Sequence, residues 1–227
     1  MEEKGQITAS SQMGTFLKDL AKNTVFQKYV EIGTWKGQGS TKCIGEELLN
    51  RNDDSILYTV DIDVGMYEEA RHYWDPILAL YCRQKIMFFL GVVVGPEGVV
   101  SFEECAQFLD FVGTPERKTQ YRGWHRGTMH GFENNIYINV IDKLPKEIDV
   151  LLLDSGELTS HAEFHNLNDR GNVKVVVLDD INVFKNYKLH NELCKNDNWE
   201  MIAHSNIRHG WSAFCHKQHL ELLKRKA

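Results

Sequence analysis

Cysteine is sparse and unpatterned in this chain. The five residues, Cys43, Cys82, Cys105, Cys194 and Cys215, are odd in number, widely spaced and without a Cys-x-x-Cys pair. That excludes a disulfide framework and zinc-finger spacing, and it fits buried thiols in a reduced, cytoplasmic protein. Long apolar runs are missing too: none approaches about 18 residues, so no membrane span is expected. The polar, acidic start MEEKGQITASSQMG lacks the character of a signal peptide. Basic charge is short, with 26 Lys+Arg against 32 Asp+Glu and a net charge of −6, the reverse of what a general nucleic-acid binder carries. The sequence contains no internal repeat and no low-complexity tract.

What is there suits one α/β domain spanning 1–227. Its 227 residues, 42% hydrophobic and 26% charged, are enough to bury a substantial core. The organising stretch is 30–41, VEIGTWKGQGST. Apolar Tyr29, Val30 and Ile32 lead into Gly33, Gly37 and Gly39, and a helical pattern opens at Ser40. Strand, glycine-rich turn and helix N-terminus in that order form the nucleotide-holding device of parallel α/β sheets.

Periodicity extends the pattern in both directions. Met13, Phe16, Leu17 and Leu20 lie at helical spacing in 10–22, ahead of a first strand at 28–33 and a helix to about 49. Residues 55–61 (SILYTVD) read as the second strand, 66–82 as a helix that Pro76 kinks or breaks, and 85–91 (KIMFFLG) as the third strand. Residues 92–147 then interrupt the alternation. Within them 102–111 and 136–144 read as short helices, and YRGWHRGTMHGF between them as a glycine-rich loop. So long a connection suggests a lid or an acceptor-binding insertion. Near-continuous apolar strands follow at 148–154 and 173–180, as expected of strands buried on both faces. Helices are expected from about 159 and over 184–195. The end reads as two strands joined at Arg208-His209-Gly210, then a basic helical tail HLELLKRKA.

Glu31, two residues before the first glycine, completes ExGxxxG, which resembles the first motif of class I S-adenosylmethionine (SAM) methyltransferases. The resemblance covers most of the chain outside 92–147. It implies a Rossmann-like seven-stranded, mostly parallel sheet with a C-terminal antiparallel hairpin and helices on both faces. It also implies SAM as cofactor, held by Glu31, Gly33, Thr34, Trp35, Gly37 and Ser40 of the turn, by Asp61 and Ile62 after the second strand, by Gly91 after the third, and by Asp154. Asp61 stands 24 residues after Gly37, where a carboxylate accepts from both ribose hydroxyls; Asp63 is the fallback.

Methyl transfer is an in-line displacement, and an oxygen acceptor must also lose a proton, to a base or with help from a metal. Asp154, Asp179 and Asp180, at the tips of adjacent strands, are an oxygen-rich set for Mg²⁺. The set resembles the Asp and Asp-Asn of catechol-type O-methyltransferases, with Asp-Asp here. That family's lysine base falls three residues after the first aspartate, where this chain has Glu157. Small bacterial-type methyltransferases end the fourth strand in Asp-Gly-x-His, where this chain has Asp154-Ser155-Gly156-Glu157. Candidate catalytic groups are therefore Asp154, Glu157 and His130. Residues 117–132 hold Arg117, Lys118, Arg122, His125, Arg126 and His130 without an acidic residue, which suits an anionic acceptor such as a sugar phosphate as well as a solvated loop.

The expected activity is O-methylation of a small molecule or sugar, with no nucleic-acid or membrane partner and with an oligomer compatible. Two alternatives stay open: an NAD(P)-dependent short-chain oxidoreductase, from GxxxGxG and Asp61, and a non-catalytic SAM-binding protein of the same fold. The YxxxK at 81–85 precedes the third strand, too early for the oxidoreductase pair. His161 and His165 share a helical face without the order of a metalloprotease HExxH motif, and a solvated face is the expectation there.

Overall fold

A computed structural model describes residues 7–112 and 114–224. Seven strands form one sheet: β1 (Lys28–Ile32), β2 (Ile56–Asp61), β3 (Ile86–Leu90), β4 (Ile148–Leu153), β5 (Val173–Asp179), β6 (Trp199–Ser205) and β7 (Trp211–His216). Their order is β3-β2-β1-β4-β5-β7-β6. The pairings from β3 to β5 are parallel, and β7 runs antiparallel to both β5 and β6. The expected sheet and C-terminal hairpin are present, with Arg208 and Gly210 at positive φ in the turn.

Period-two alternation sends β-strand side chains to two cores. On one face Tyr29, Leu57, Val150, Val175 and Val177 meet α1 (Gln12–Lys22), α2 (Ser40–Leu49) and Trp74 of α3 (Val64–Leu78). On the other, Val30, Val60, Leu151, Leu153, Val176 and Leu178 meet Phe164 and Leu167 of α6 (Ser160–Gly171) and Leu189 and Leu193 of α7 (Phe184–Lys195). Both faces of β4 and β5 are covered, which is why their sequences are apolar without alternation. Among the described residues no helix is long and apolar enough to cross a membrane.

The insertion differs from the loop expected of it. After α4 (Phe102–Val112), residues 115–133 form a single helix, α5 (Pro115–Glu133), started by Pro115 and capped by Thr114, whose Oγ1 accepts from Arg117 N. Gly123, Gly127 and Gly131 mimic loop composition. Yet a Cβ at Gly123 or Gly127 would meet open space, whereas Gly131 lies against the Tyr137 ring. Tertiary packing overrides the low helix propensity. Conversely, 136–144 yields only a 3-10 turn over Ile141–Lys143, and Asn139 pairs in parallel with Val92. The helix expected to reach 82 stops at Leu78, two residues past Pro76. The tail is helical in α8 (Leu220–Lys224); residues 225–227 of that expected helix lie outside the described residues, as do 1–6 of the acidic start.

Candidate active site

The carboxyl ends of β1, β2, β4 and β5 bring most of the candidate residues together. Gly33, Trp35 and Gly37 adopt positive φ (102°, 50° and 70°), which turns the chain sharply between β1 and α2. A Cβ at Gly33 would fall 2.2 Å from the Asp154 carbonyl oxygen, and one at Gly37 would strike the Trp74 indole, whose Nε1 donates to the Gly37 carbonyl. Gly91 likewise admits the carbonyl of Ile138. At all three, glycine lets protein approach protein.

Glu31 is also turned inward. It is fully buried, and its oxygens accept from Ser40 Oγ (2.5 Å), Thr41 Oγ1 (2.7 Å) and Thr59 Oγ1 (2.6 Å). Thr59 Oγ1 lies 2.5 Å from Thr34 Oγ1, and with its proton committed to Glu31 it accepts from Thr34. Glu31, Thr34 and Ser40 thus lock β1, β2, the turn and α2 together instead of facing the crevice. Burial pushes the Glu31 carboxyl up to about 7, against the pull of the three hydroxyls.

Asp61 stays at the crevice. Its Oδ2 accepts from Trp35 N at 2.7 Å and its Oδ1 from Asp63 N at 2.9 Å. Burial raises its pKa, with those backbone donors opposing. Trp35 and Ile62 flank it as exposed apolar side chains, 56% and 40% accessible. Asp63, the fallback, caps α3 by accepting from Met66 N through Oδ1.

Asp154, Asp179 and Asp180 converge, each offering an oxygen within 4.8 Å of the others. A residue that sequence pattern missed lies among them. Lys185, in the first turn of α7, donates from Nζ to Asp154 Oδ1 (2.5 Å) and Asp180 Oδ2 (3.2 Å). Burial alone would lower its pKa, but Asp154 and Asp180 outweigh burial and raise it, so it stays an ammonium. Burial, with Asp154 and Asp180 adding to it, pushes Asp179 up to about 7. Asn186, fully buried, donates to the carbonyls of Leu153 and Asp179 and accepts from Ser160 Oγ, joining the tips of β4 and β5 to α6. A Mg²⁺ ion would contest oxygens that Lys185 already holds, so the donor set as arranged does not fit the metal.

On the acceptor side, Glu157 Oε2 accepts from Tyr121 Oη of α5 at 2.7 Å. Tyr121 packs edge-on to Phe184, the neighbour of Lys185, and to Trp124. His130 stands nine residues further along α5, about 14 Å by helical rise. It is exposed there, with Nδ1 3.0 Å from Asn134 Nδ2. Glu157 and His130 therefore serve opposite ends of the helix, and only Glu157 is tied to the wall beside Lys185. Arg122 is spent partly on the Phe102 ring, 4.7 Å below its guanidinium.

Comparison with solved structures bears on the whole arrangement. An O-methyltransferase of tomaymycin synthesis from Streptomyces achromogenes, in complex with SAM, matches with a TM-score of 0.56 at 13% identity, over 92% of this chain and 82% of that one. An O-methyltransferase from Bacillus cereus in complex with S-adenosylhomocysteine gives 0.55 at 12%, over 93% and 84%. A methyltransferase from Geobacter sulfurreducens gives 0.53 at 12%, over 92% and 80%. This is the class I methyltransferase fold. No protein-family model and no curated protein matches the sequence. Within that methyltransferase fold, the antiparallel β7 between β5 and β6 departs from the 3-2-1-4-5-6 order of dinucleotide-binding sheets, which counts against the oxidoreductase alternative drawn from GxxxGxG and Asp61.

Proposed function

We propose that this chain is a SAM-dependent methyltransferase that methylates an oxygen of a small molecule. The carrying observation is the Asp61 carboxylate, held by the glycine turn's own backbone at the tip of β2, with β1 and its turn between it and the β4 tip that bears Asp154. The donor set fits a nucleoside: a carboxylate for a ribose diol, flanked by exposed Trp35 and Ile62 for an adenine face. When bound, SAM supplies an electrophilic methyl group on a sulfonium.

In this reading Asp61 holds the ribose hydroxyls and the turn amides fix the cofactor's amino-acid end. Tyr121, Trp124 and Phe184 wall the acceptor and exclude water. Glu157 takes the acceptor's hydroxyl proton as its oxygen bonds to the methyl carbon. SAM held there would supply the methyl group and leave as the neutral thioether. Lys185 keeps the Asp154–Asp180 cluster compensated. Because the ammonium already compensates Asp154 and Asp180, turnover in this reading is assigned no divalent ion. The Arg and Lys residues of α5, which stand out against the chain's net charge of −6, suit an acceptor with an anionic group, such as a sugar phosphate.

Calorimetry with SAM, S-adenosylhomocysteine and NADH decides the class. Micromolar or tighter SAM binding that Asp61→Ala weakens at least about ten-fold, the equivalent of 1.4 kcal/mol, is the expected result. Binding of NADH alone would end the proposal. SAM binding without turnover across a broad acceptor panel would leave a non-catalytic binding protein.

A further inference from the structure

Where α6 and α7 face each other, two imidazoles and a carboxylate converge. His161 and His165 lie one turn apart on α6, their rings 4.6 Å between centroids. Sequence pattern assigns them to a solvated helix face. The structure adds a third group from the neighbouring helix: Glu192 Oε2 lies 2.7 Å from His161 Nε2, and Glu192 Oε1 lies 3.1 Å from His165 Nε2. One nitrogen from each histidine and one carboxylate oxygen lie within 4.8 Å of one another.

We propose that His161, His165 and Glu192 bind a divalent transition-metal ion of the Zn²⁺ class, pinning α6 to α7. Two histidines and one carboxylate form an accepted three-ligand set, with water as the fourth ligand. Ligands about 2.0–2.1 Å from a tetrahedral ion stand roughly 3.4 Å apart, so side-chain rotation is enough to admit it. Imidazole nitrogen selects Zn²⁺, Co²⁺ or Ni²⁺ over Mg²⁺ and Ca²⁺.

The surroundings agree. The nearest ammonium, Lys188, is drawn off to Glu104 at 2.8 Å. Lys195, Glu104 and Glu192 all line a cleft of about 570 Å³ between α4 and α7, through which an ion can enter. The pinned helix α7 also carries Lys185 and Asn186 in its first turn, so occupancy would steady the candidate active site from behind. The metal itself takes no part in methyl transfer.

The test uses the full-length, tag-free chain, stripped with EDTA and desalted, titrated with ZnCl₂, CoCl₂ and MgCl₂. Zn²⁺ should bind 1:1 by calorimetry and raise the melting temperature, Co²⁺ should develop visible absorption of a nitrogen-ligated ion, and Mg²⁺ should do neither. His165→Ala and Glu192→Gln, at partly exposed positions, should each weaken Zn²⁺ at least about ten-fold while leaving the metal-free melting temperature in place. Cys194→Ser is the control, since Cys194 Sγ lies 3.6 Å from His190 Nε2 and offers a rival soft pair. No saturable Zn²⁺ binding, or binding that survives a His161→Ala/His165→Ala double substitution, overturns the proposal. Neither readout depends on SAM, so its failure is separate from failure of the methyltransferase reading.

Discussion

Lys185 and Glu31 show how a single side chain can be reassigned by its surroundings. Lys185 reads in the sequence as one helical lysine among many, yet it is the cation at the centre of three strand-tip carboxylates. Lys185→Met should destabilise the fold by roughly 3–5 kcal/mol by urea denaturation, because buried like charges lose their counterion. The variant should also gain a stabilising response to Mg²⁺ that the parent lacks. In the parent, EDTA should leave methyl-transfer turnover unchanged, and inhibition reversed by Mg²⁺ would sink the lysine-compensated reading. Glu31 has a folded pKa of about 7, above its unfolded value of 4.5. The folded state therefore binds the proton more tightly, and its contribution is fully present below pH 4.5. It is lost as pH rises through 7, by about 3 kcal/mol at 1.36 kcal/mol per unit. Glu31→Gln should flatten that pH dependence of stability, since an amide can still receive hydroxyl donors. Glu31→Ala should cost about 3 kcal/mol below pH 4.5, because three buried hydroxyls lose their acceptor, and that cost should shrink as pH rises through 7.

At the scale of elements, α5 is the informative case. It forms although glycine recurs every fourth residue from 123 to 131, because its ends are capped and Tyr121 anchors it to Glu157 and Phe184. Gly123→Ala and Gly127→Ala should each stabilise the protein by about 0.5–1 kcal/mol in thermal melts, as a methyl meets nothing at either site. Gly131→Ala should destabilise it through the Tyr137 ring. Tyr121→Phe removes the hydrogen bond to Glu157 while keeping the ring. It should raise the acceptor KM several-fold and leave SAM affinity unchanged. Equal loss of both would mean that α5 supports the cofactor side instead.

At the scale of the molecule, the sheet order brings Asp61 of β2 to the same carboxyl edge as Asp154 and Asp179 of the neighbouring β4 and β5, with β1 between β2 and β4, although the three are far apart in sequence. A ligand spanning those tips would bind only the folded chain. SAM at about 100 times its Kd should then raise stability by about 2.7 kcal/mol, readable as a thermal shift that Asp61→Ala loses. An equal shift in that variant would relocate the cofactor.

The strands, their sequence order and the strand-tip acidic residues were legible in the chain, because β4 and β5 must be apolar on both faces and turns need glycine whatever lies around them. The antiparallel hairpin was legible for the same reason, from its turn residues. Two things depended on long-range packing. One was the direction a side chain faces: Glu31 points into a hydroxyl cage and not the crevice, and Asp63 caps a helix. The other was what arrives from a distant element, as with Lys185 on the carboxylates, Tyr121 on Glu157 and Glu192 between two histidines. Local periodicity carries no information about such meetings, since they join residues 5 to 36 positions apart across separate helices and strands. Only the closed sheet with its covering helices decides them.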